Sequence, residues 1–255
     1  STTTSIAAKA FYNKSNIVSV TLPQNLKVVG SRVFQGCNQI TSLTMPSGLK
    51  YIGEYAFYAC GGFSSITLPP TLQYIGDYAF ENCGNLTNVS YNAQSAQSSG
   101  SHGAFQGCEH FETLNIGSSV RVIPPYLFQN CSHVNSLVIA NGIDTISQYA
   151  FAGCSSITAV TIPASVDCIG QLAFNNCTNL ATVNFNATNC SVYMDYNSQY
   201  NRPFSNCNSI TTVNIGNSVQ AIPPYLFYST NITSLTIPTS VTNIGAYSFA
   251  NNTSL

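Results

Sequence analysis

The chain contains very little charge. Only 6% of its 255 residues are Asp, Glu, Lys or Arg, against roughly 25% in an ordinary soluble domain. Seven basic residues face eight acidic ones, which gives a formal net charge of −1. This balance argues against nucleic-acid binding, because phosphates are neutralised by a basic stripe, and against electrostatic docking on anionic lipid. Disorder is not expected either, since 44% of the residues are hydrophobic and can form a core.

Long hydrophobic runs and a signal segment are missing as well. No stretch approaches the roughly 20 apolar residues that a membrane-spanning helix needs, so we expect no membrane insertion. The first five residues are polar Ser and Thr, whereas a secretory signal begins with basic and then apolar residues. A mature secreted chain would share this feature, so secretion stays open.

Motifs for catalysis and cofactor binding are also absent from the sequence. It has neither a glycine-rich phosphate-binding loop nor a nucleophile elbow. Of the scattered carboxylates, Glu54 and Asp77 share a position in the repeat described below, without an evident cleft for acid–base chemistry. His110 and His133 share another repeat position, but no third ligand accompanies them. We therefore expect no enzyme, no cofactor and no metal site.

What the sequence does contain is a phenylalanine that recurs at a nearly constant interval. Most successive members are 23 residues apart, with a longer interval before Phe105 and another before Phe204. The series is Phe11, Phe34, Phe57, Phe80, Phe105, Phe128, Phe151, Phe174, Phe204, Phe227 and Phe249. A fixed period of this length is the signature of a repeat architecture. We call each interval a rung and number its positions from its phenylalanine.

Each rung carries the pattern of one short strand and one compact turn. Positions +8 to +11 alternate polar and apolar residues, as in Ser42-Leu43-Thr44-Met45, which predicts a strand with one buried face. Apolar residues at spacings of three around the phenylalanine indicate a helical or 3-10 turn. One such unit cannot bury its apolar side alone, whereas stacked copies can, so the sequence predicts a repeat solenoid of about eleven rungs.

The residues around the phenylalanine are nearly the same from rung to rung. They read Ile-Gly-Glu-Tyr-Ala-Phe-Tyr-Ala-Cys from Ile52 to Cys60 and Ile-Gly-Gln-Leu-Ala-Phe-Asn-Asn-Cys from Ile169 to Cys177. This unit resembles the BspA-like leucine-rich repeat, and the resemblance covers Ile6 to Leu255. It implies a right-handed leucine-rich-repeat superhelix, with a parallel sheet on the concave face and the helical turns on the convex face. It also implies a secreted or cell-surface adhesion protein of bacteria or protozoa.

Eight of the ten cysteines occupy one repeat position, +3. They are Cys37, Cys60, Cys83, Cys108, Cys131, Cys154, Cys177 and Cys207. Stacked rungs place them in a column about 5 Å apart, with parallel Cα–Cβ directions that suit a disulfide poorly. We expect reduced, buried thiols; disulfides and a metal site are less favoured, since zinc would require paired Cys-x-x-Cys ligands. Cys168 and Cys190 lie outside the column and are either reactive thiols or incidental.

Positions +8 and +10 place hydroxyl and amide side chains on the outer side of the predicted strands. The candidate ligand-binding residues among them are Ser42, Thr44, Ser65, Thr67, Thr113 and Asn115. Ser and Thr need an adjacent base to act as nucleophiles, so this surface indicates binding rather than catalysis. Two interpretations remain, a broad docking surface for a protein or glycan and a solvated sheet face that favours Thr.

Two insertions interrupt the repeat, at 91–103 and 186–203. Both follow the predicted strand of their rung, so we expect them to project from one edge of the solenoid, about 20 Å apart. The second carries the candidate binding residues Tyr193, Asp195, Tyr196, Tyr200 and Arg202. Tyr, Ser and Asn form adaptable contacts in antibody loops, so we predict a recognition loop; the alternative is a tolerated surface insertion.

The rung after each insertion contains Ile-Pro-Pro-Tyr-Leu-Phe, at 123–128 and 222–227, which indicates that a block of four rungs was duplicated. We expect one leucine-rich-repeat solenoid domain over 1–255, as a piece of a longer protein. Its predicted role is that of a monomeric, non-enzymatic adhesion module that binds a host or matrix protein or a glycan. The alternative is a structural spacer that displays another domain away from the cell surface.

Overall fold

The repeat folds into stacked rungs that each contribute short parallel strands. The computed structural model describes residues 2–98, 100–192 and 202–255, and they form a parallel β-solenoid of about 10 turns of about 23 residues. The strands pair in register from one rung to the next, with Leu68 opposite Tyr91 and Tyr74 opposite Gln97. The predicted repeat solenoid is confirmed.

The first strand of a rung lies at positions +8 to +11, where the alternation predicts it. In Ser65–Leu68 the two aliphatic side chains are buried and the two hydroxyl side chains are exposed. The four-residue strands are Ser65–Leu68, Asn88–Tyr91, Thr113–Ile116, Ser136–Ile139, Ala159–Ile162, Thr182–Phe185 and Thr212–Ile215. Isolated bridges from Ser19 to Ser42 and from Thr212 to Ser234 continue this ladder.

A second strand at positions +17 and +18 forms a separate ladder that the sequence pattern does not predict. In most rungs it has a partly exposed residue followed by a buried aliphatic one, as in Tyr51–Ile52. These strands are Ser5–Ile6, Val28–Val29, Tyr51–Ile52, Tyr74–Ile75, Gln97–Ser98, Val122–Ile123, Thr145–Ile146, Cys168–Ile169, Ser191–Val192, Ala221–Ile222 and Asn243–Ile244. Two residues are too few to show the alternation by which strands are recognised in a sequence.

The recurring phenylalanines stack face to face through the core of the solenoid. Ring centroids lie 5.0–5.7 Å apart along the whole series from Phe11 to Phe249. The separation is 5.0 Å in both of the longer rungs, which end at Phe105 and Phe204. The column therefore runs without interruption past both insertions and keeps the rungs in register.

The helical turns predicted on the far side of each rung are wrong. The described residues contain no helix, and the segment around each phenylalanine is a run of β-turns. Tyr55 and Ala59 both have a φ of 54°, which is incompatible with a right-handed helix. Their N–H groups, and that of Phe57 between them, donate to carbonyl oxygens of the next rung. A helix would keep these donors within its own segment, so hydrogen bonding between rungs selects the turns.

The strand pairing shows that the extra residues of the two longer rungs begin later in the chain than the sequence pattern indicates. Gln97–Ser98 pairs with Tyr74–Ile75, and Ser191–Val192 pairs with Cys168–Ile169, each at the regular offset of the repeat. Residues up to the end of these second strands therefore continue the ordinary rung. Residues 193–201, which make up half of the second predicted insertion, lie outside the described residues.

Proline interrupts the ladder of second strands after each longer rung. One sheet ends at Gln97–Ser98, and the next begins at Val122–Ile123. In an ordinary rung, the residue after the second strand is a glycine such as Gly53, whose N–H donates to the neighbouring rung. Pro124 and Pro223 occupy this position and have no N–H to donate. The ladder of second strands is thus interrupted at the same repeat position after both of the longer rungs.

Tyr91 and Phe185 are equivalent core residues of the two longer rungs, both at position +11. The ring of Tyr91 meets Phe128 edge-on at 5.7 Å, and the ring of Phe185 meets Phe227 edge-on at 6.2 Å. Both side chains are fully buried. Within the described residues the Tyr91 hydroxyl has no hydrogen-bond partner, and burial raises the pKa of Tyr91. The first block therefore buries a polar group that the second block lacks.

Candidate binding surface

The outward side chains of the first strands form one continuous polar surface, which we call the strand face. Ser42, Thr44, Ser65 and Thr67 are exposed on it, whereas Thr113 and Asn115 are half-buried. All six predicted side chains therefore lie on this face, at the rung positions that the alternation assigns to them.

Side chains on the strand face hydrogen-bond to their counterparts in adjacent rungs. The amide of Asn214 donates to the Asn184 side-chain oxygen at 2.8 Å, and the Asn184 amide donates to the Thr161 hydroxyl at 3.1 Å. Uncharged groups can stack in this way, whereas like charges opposite each other in paired strands destabilise the sheet. These contacts hold the amides in fixed orientations before any ligand arrives.

Open depressions lie along the strand face where the strands end. Thr44, Ser65 and Thr67 line one of them together with Leu43 and Met45. Three of the predicted binding residues are thus brought together around a partly apolar hollow. The midpoint of the face is apolar as well, because Val138 is 52% exposed between polar neighbours. The strand face therefore offers both hydrogen-bonding groups and apolar contact area.

A second depression is lined by residues that are not among the binding residues predicted from the sequence. It is lined by Thr161, Asn186, Gly216 and Asn217, among others. The side-chain oxygen of Asn186 occupies the space that a Cβ at Gly216 would fill. In the first block, the side-chain oxygen of Asn92 likewise occupies the space that a Cβ at Gly117 would fill. Glycine in place of the usual proline at +12 signals this arrangement in the sequence, because only glycine leaves room for the asparagine.

The predicted recognition loop is described only in part. Tyr193, Asp195, Tyr196 and Tyr200 lie outside the described residues. Arg202 is described, and it stands two residues before Phe204 as Arg32 stands before Phe34. Its guanidinium carbon lies 3.2 Å from the ring centroid of Tyr228, and Arg32 lies 4.3 Å from that of Tyr55. Arg202 therefore continues the regular turn segment and stacks on an aromatic ring of the next rung.

The end of the first insertion is tied to the solenoid through Asp77. The Ser101 hydroxyl donates to the Asp77 carboxylate at 2.6 Å, and the backbone N–H of His102 donates to its other oxygen at 3.3 Å. The imidazole of His102 stacks on Tyr78 at 4.7 Å between ring centroids. Asp77 is only 8% exposed. Its carboxylate thus has a structural role, and it is not presented as half of an acid pair with Glu54.

The cysteine column consists of free thiols. All ten cysteines are free, and nine of them are buried. The thiol of Cys60 donates to the carbonyl oxygen of Phe34 at 3.0 Å, and most thiols of the column contact the preceding phenylalanine in the same way. Burial raises the pKa of Cys154 and of Cys190 to about 12, so these thiols stay protonated and unreactive. Cys168 alone is partly exposed.

The described side chains form no cluster of three or more His, Cys, Asp or Glu residues that could hold a metal ion. In the same part of the chain, no helix is long and apolar enough to cross a membrane. What the geometry presents is an extended sheet surface with shallow hollows. Repeat proteins use extended surfaces of this kind for binding.

Fold and surface together define the chain as a leucine-rich-repeat solenoid. Its sequence matches the BspA type leucine-rich repeat region in six copies, over residues 4–102, 98–201 and 200–255. The chain therefore belongs to the BspA-type leucine-rich repeat family, and the resemblance read from the sequence is confirmed. No curated protein sequence matches it significantly.

Solved structures with the same architecture include two bacterial leucine-rich repeat proteins. One, from Bacteroides ovatus, is 20% identical with a TM-score of 0.50, and the match covers 99% of this chain and 81% of that one. The other, from T. pallidum, is 23% identical with a TM-score of 0.50, and the match covers 65% of this chain and 75% of that one. At this level of identity the likeness concerns the fold.

Proposed function

We propose that the chain is a non-enzymatic binding module of a secreted or cell-surface protein, which recognises a protein or a glycan through the strand face. Membership of the BspA-type family supports a surface location and a role in adhesion. The observation that carries the binding role is the strand face itself. Thr44, Ser65 and Thr67 line a hollow on it, and several rungs further along the Asn184 and Asn214 amides are held by hydrogen bonds between rungs.

The composition of this face favours a polar, uncharged or weakly charged epitope. A glycan or a protein loop that offers hydroxyl and amide groups can exchange hydrogen bonds with Ser, Thr and Asn at little desolvation cost. Val138 and the hollow beside Met45 supply the apolar contact that most interfaces include. The second insertion extends this proposal, because Tyr193, Asp195, Tyr196 and Tyr200 have the composition of adaptable contact loops.

Arginine substitution on the strand face tests the proposal. The double variant Thr44→Arg/Thr67→Arg places two bulky cations over the hollow and is expected to weaken binding at least about tenfold, since a misplaced charge at an interface costs more than about 1.4 kcal/mol. Attachment of the purified chain to a glycan array and to a panel of immobilised matrix proteins gives the measurement. Asn85→Arg/Ser132→Arg, at two exposed positions away from the strand face, is the matched control.

Retention of every interaction by the Thr44→Arg/Thr67→Arg variant, with an unchanged circular dichroism spectrum, would remove the strand face from the proposal. A wild-type chain that attaches to nothing on either panel would favour the spacer. The continuous phenylalanine column is the feature that a spacer would use, because it makes the solenoid a single rigid element. Substitution of Tyr193, Tyr196 and Tyr200 in the same assay then reports on the loop separately.

A further inference from the structure

The few charges of this chain are distributed very unevenly along the solenoid axis. Five of the seven basic residues lie in the first 50 residues, which contain no Asp or Glu. The first 50 residues therefore carry a formal charge of +5 and the remainder carries −6, which gives the net charge of −1. A strong local imbalance of this kind creates a potential that a near-neutral total conceals.

Four of these cations form two stacked pairs, which we call the basic patch: Lys9 with Arg32, and Lys27 with Lys50. Members of each pair occupy the same repeat position in adjacent rungs, two residues before the phenylalanine for the first pair and +16 for the second. Rung spacing of about 5 Å places the backbones of like-charged residues side by side, and like charges at opposite positions of paired strands destabilise a sheet. Almost everywhere else the repeat avoids this cost by using uncharged residues.

Glu54 lies one rung from Arg32, whose backbone N–H donates to the Glu54 carbonyl oxygen, but in the described part of the chain its carboxylate is not paired with the basic patch. Among the described residues, none of its four side chains forms an ion pair with a carboxylate, and the ion pairs found are Arg121 with Asp144 and His102 with Asp77. Arg121 is informative because it occupies the same +16 position as Lys27 and Lys50. Its Nη1 atom lies 3.7 Å from an Asp144 carboxylate oxygen, so a cation at this position can be paired from the next rung.

The second-strand ladder lies between the two stacked pairs. Lys27 and Lys50 immediately precede the strands Val28–Val29 and Tyr51–Ile52, and Arg32 follows the first of them. The ammonium group of Lys27 occupies the space that a Cβ at Gly48 would fill, so glycine in the adjacent rung admits it.

An open depression adjoins Lys50 and is lined by Thr71, Gln73 and Gln94 among others. The ammonium group of Lys50, two amides and a hydroxyl thus surround one hollow at this corner of the solenoid. The ammonium and amide groups can donate hydrogen bonds to anionic oxygens, whereas the Thr71 hydroxyl donates to the carbonyl oxygens of Ser47 and Leu49.

We propose that the basic patch binds an acidic polysaccharide, with Lys27 and Lys50 contacting its carboxylate or sulfate groups and the hollow beside Lys50 receiving a sugar hydroxyl. An anionic ligand relieves the repulsion within both stacked pairs. The tyrosines beside Lys50 favour a sugar over a single-stranded nucleic acid. Tyr51 and Tyr74 stack on each other at 4.6 Å, so their facing rings are already occupied, whereas bases need free ring faces.

Binding to heparin and to polygalacturonate, one sulfated and one carboxylated, tests the basic patch. Lys27→Gln/Lys50→Gln is expected to bind both roughly 10- to 30-fold more weakly than wild type at 0.15 M salt, because two counterion-releasing contacts are lost. The variant should also show a shallower dependence of affinity on salt. Arg121→Gln removes a cation at the same repeat position and is expected to bind as wild type does.

Three results would overturn the inference. They are no binding of either polysaccharide by wild type at 0.15 M salt, equal binding by wild type and Lys27→Gln/Lys50→Gln, and tighter binding to oligo(dT) or phosphatidylserine vesicles than to both polysaccharides. The last would assign the patch to another class of polyanion. The basic patch and the strand face are separate surfaces, so either can fail in its own assay without affecting the other.

Discussion

Replacing Phe151 with alanine is expected to lower the free energy of unfolding by about 3–5 kcal/mol, as for other large-to-small changes in a packed core. Phe151 is fully buried, and its ring stacks on Phe128 at 5.7 Å and on Phe174 at 5.2 Å. Its loss opens a cavity in the middle of the column and removes two ring contacts. Urea denaturation followed by circular dichroism measures the change.

Phe11→Ala is the matched control, since Phe11 belongs to the same column but is 40% exposed and stacks on Phe34 alone. We expect it to cost about 1 kcal/mol or less, in line with partial burial. Equal losses for Phe11→Ala and Phe151→Ala would contradict the continuous column, because position along the axis would then make no difference.

Tyr91→Phe is expected to stabilise the chain by about 1–3 kcal/mol, the cost of burying a hydroxyl without a partner. The reverse substitution can be made in the same chain, because Phe185 is the equivalent residue of the second block. Phe185→Tyr should destabilise by a similar amount, since it buries the same unpartnered group. Thermal and urea unfolding of the two single variants and of the double exchange provide the comparison.

The test depends on the two substitutions changing the free energy of unfolding in opposite directions. Destabilisation by Tyr91→Phe would mean that its hydroxyl is hydrogen-bonded in the native state and that the site is polar. A gain of stability from Phe185→Tyr would mean that the two blocks differ in their packing around +11. Either outcome would contradict the equivalence of the duplicated blocks.

Two parts of the fold could be predicted because the sequence repeats them in every rung. The phenylalanine period sets the register, and alternation in segments such as Ser65–Leu68 sets which side chains reach the strand face. Both features depend on burial of apolar groups, which a single sequence displays directly. The six strand-face candidates are consequently found where the pattern places them.

The turns could not be predicted from apolar spacing, because a spacing of three fits a helix and a run of β-turns equally well. The signal that separates them lies at +2, where Asn82 and Gly107 have φ of 56° and 70°. Asn and Gly adopt the left-handed conformation at low cost, and they occupy +2 in most rungs. The bulky Tyr55 and Tyr78 also adopt it, and only contact between rungs accounts for that.

The position of Arg202 and the existence of the basic patch could not be predicted from the sequence, because both depend on contacts between rungs. Arg202 lies within the second predicted insertion, yet its stacking on Tyr228 assigns it to the regular turn segment. The basic patch is invisible to a count over the whole chain, because +5 and −6 nearly cancel. Only the register of adjacent rungs shows that Lys27 and Lys50 occupy neighbouring positions.

The distance between spin labels at positions 67 and 161 tests most directly whether the chain is one continuous solenoid. Both residues are exposed on the strand face and lie four rungs apart, on either side of the first insertion. In a Cys168→Ser background, where the remaining native thiols are buried, Thr67→Cys and Thr161→Cys accept the labels selectively. The solenoid predicts a single narrow distribution near 20 Å at sheet spacing. A distribution centred beyond about 30 Å, or one with two maxima, would contradict four stacked rungs at that spacing.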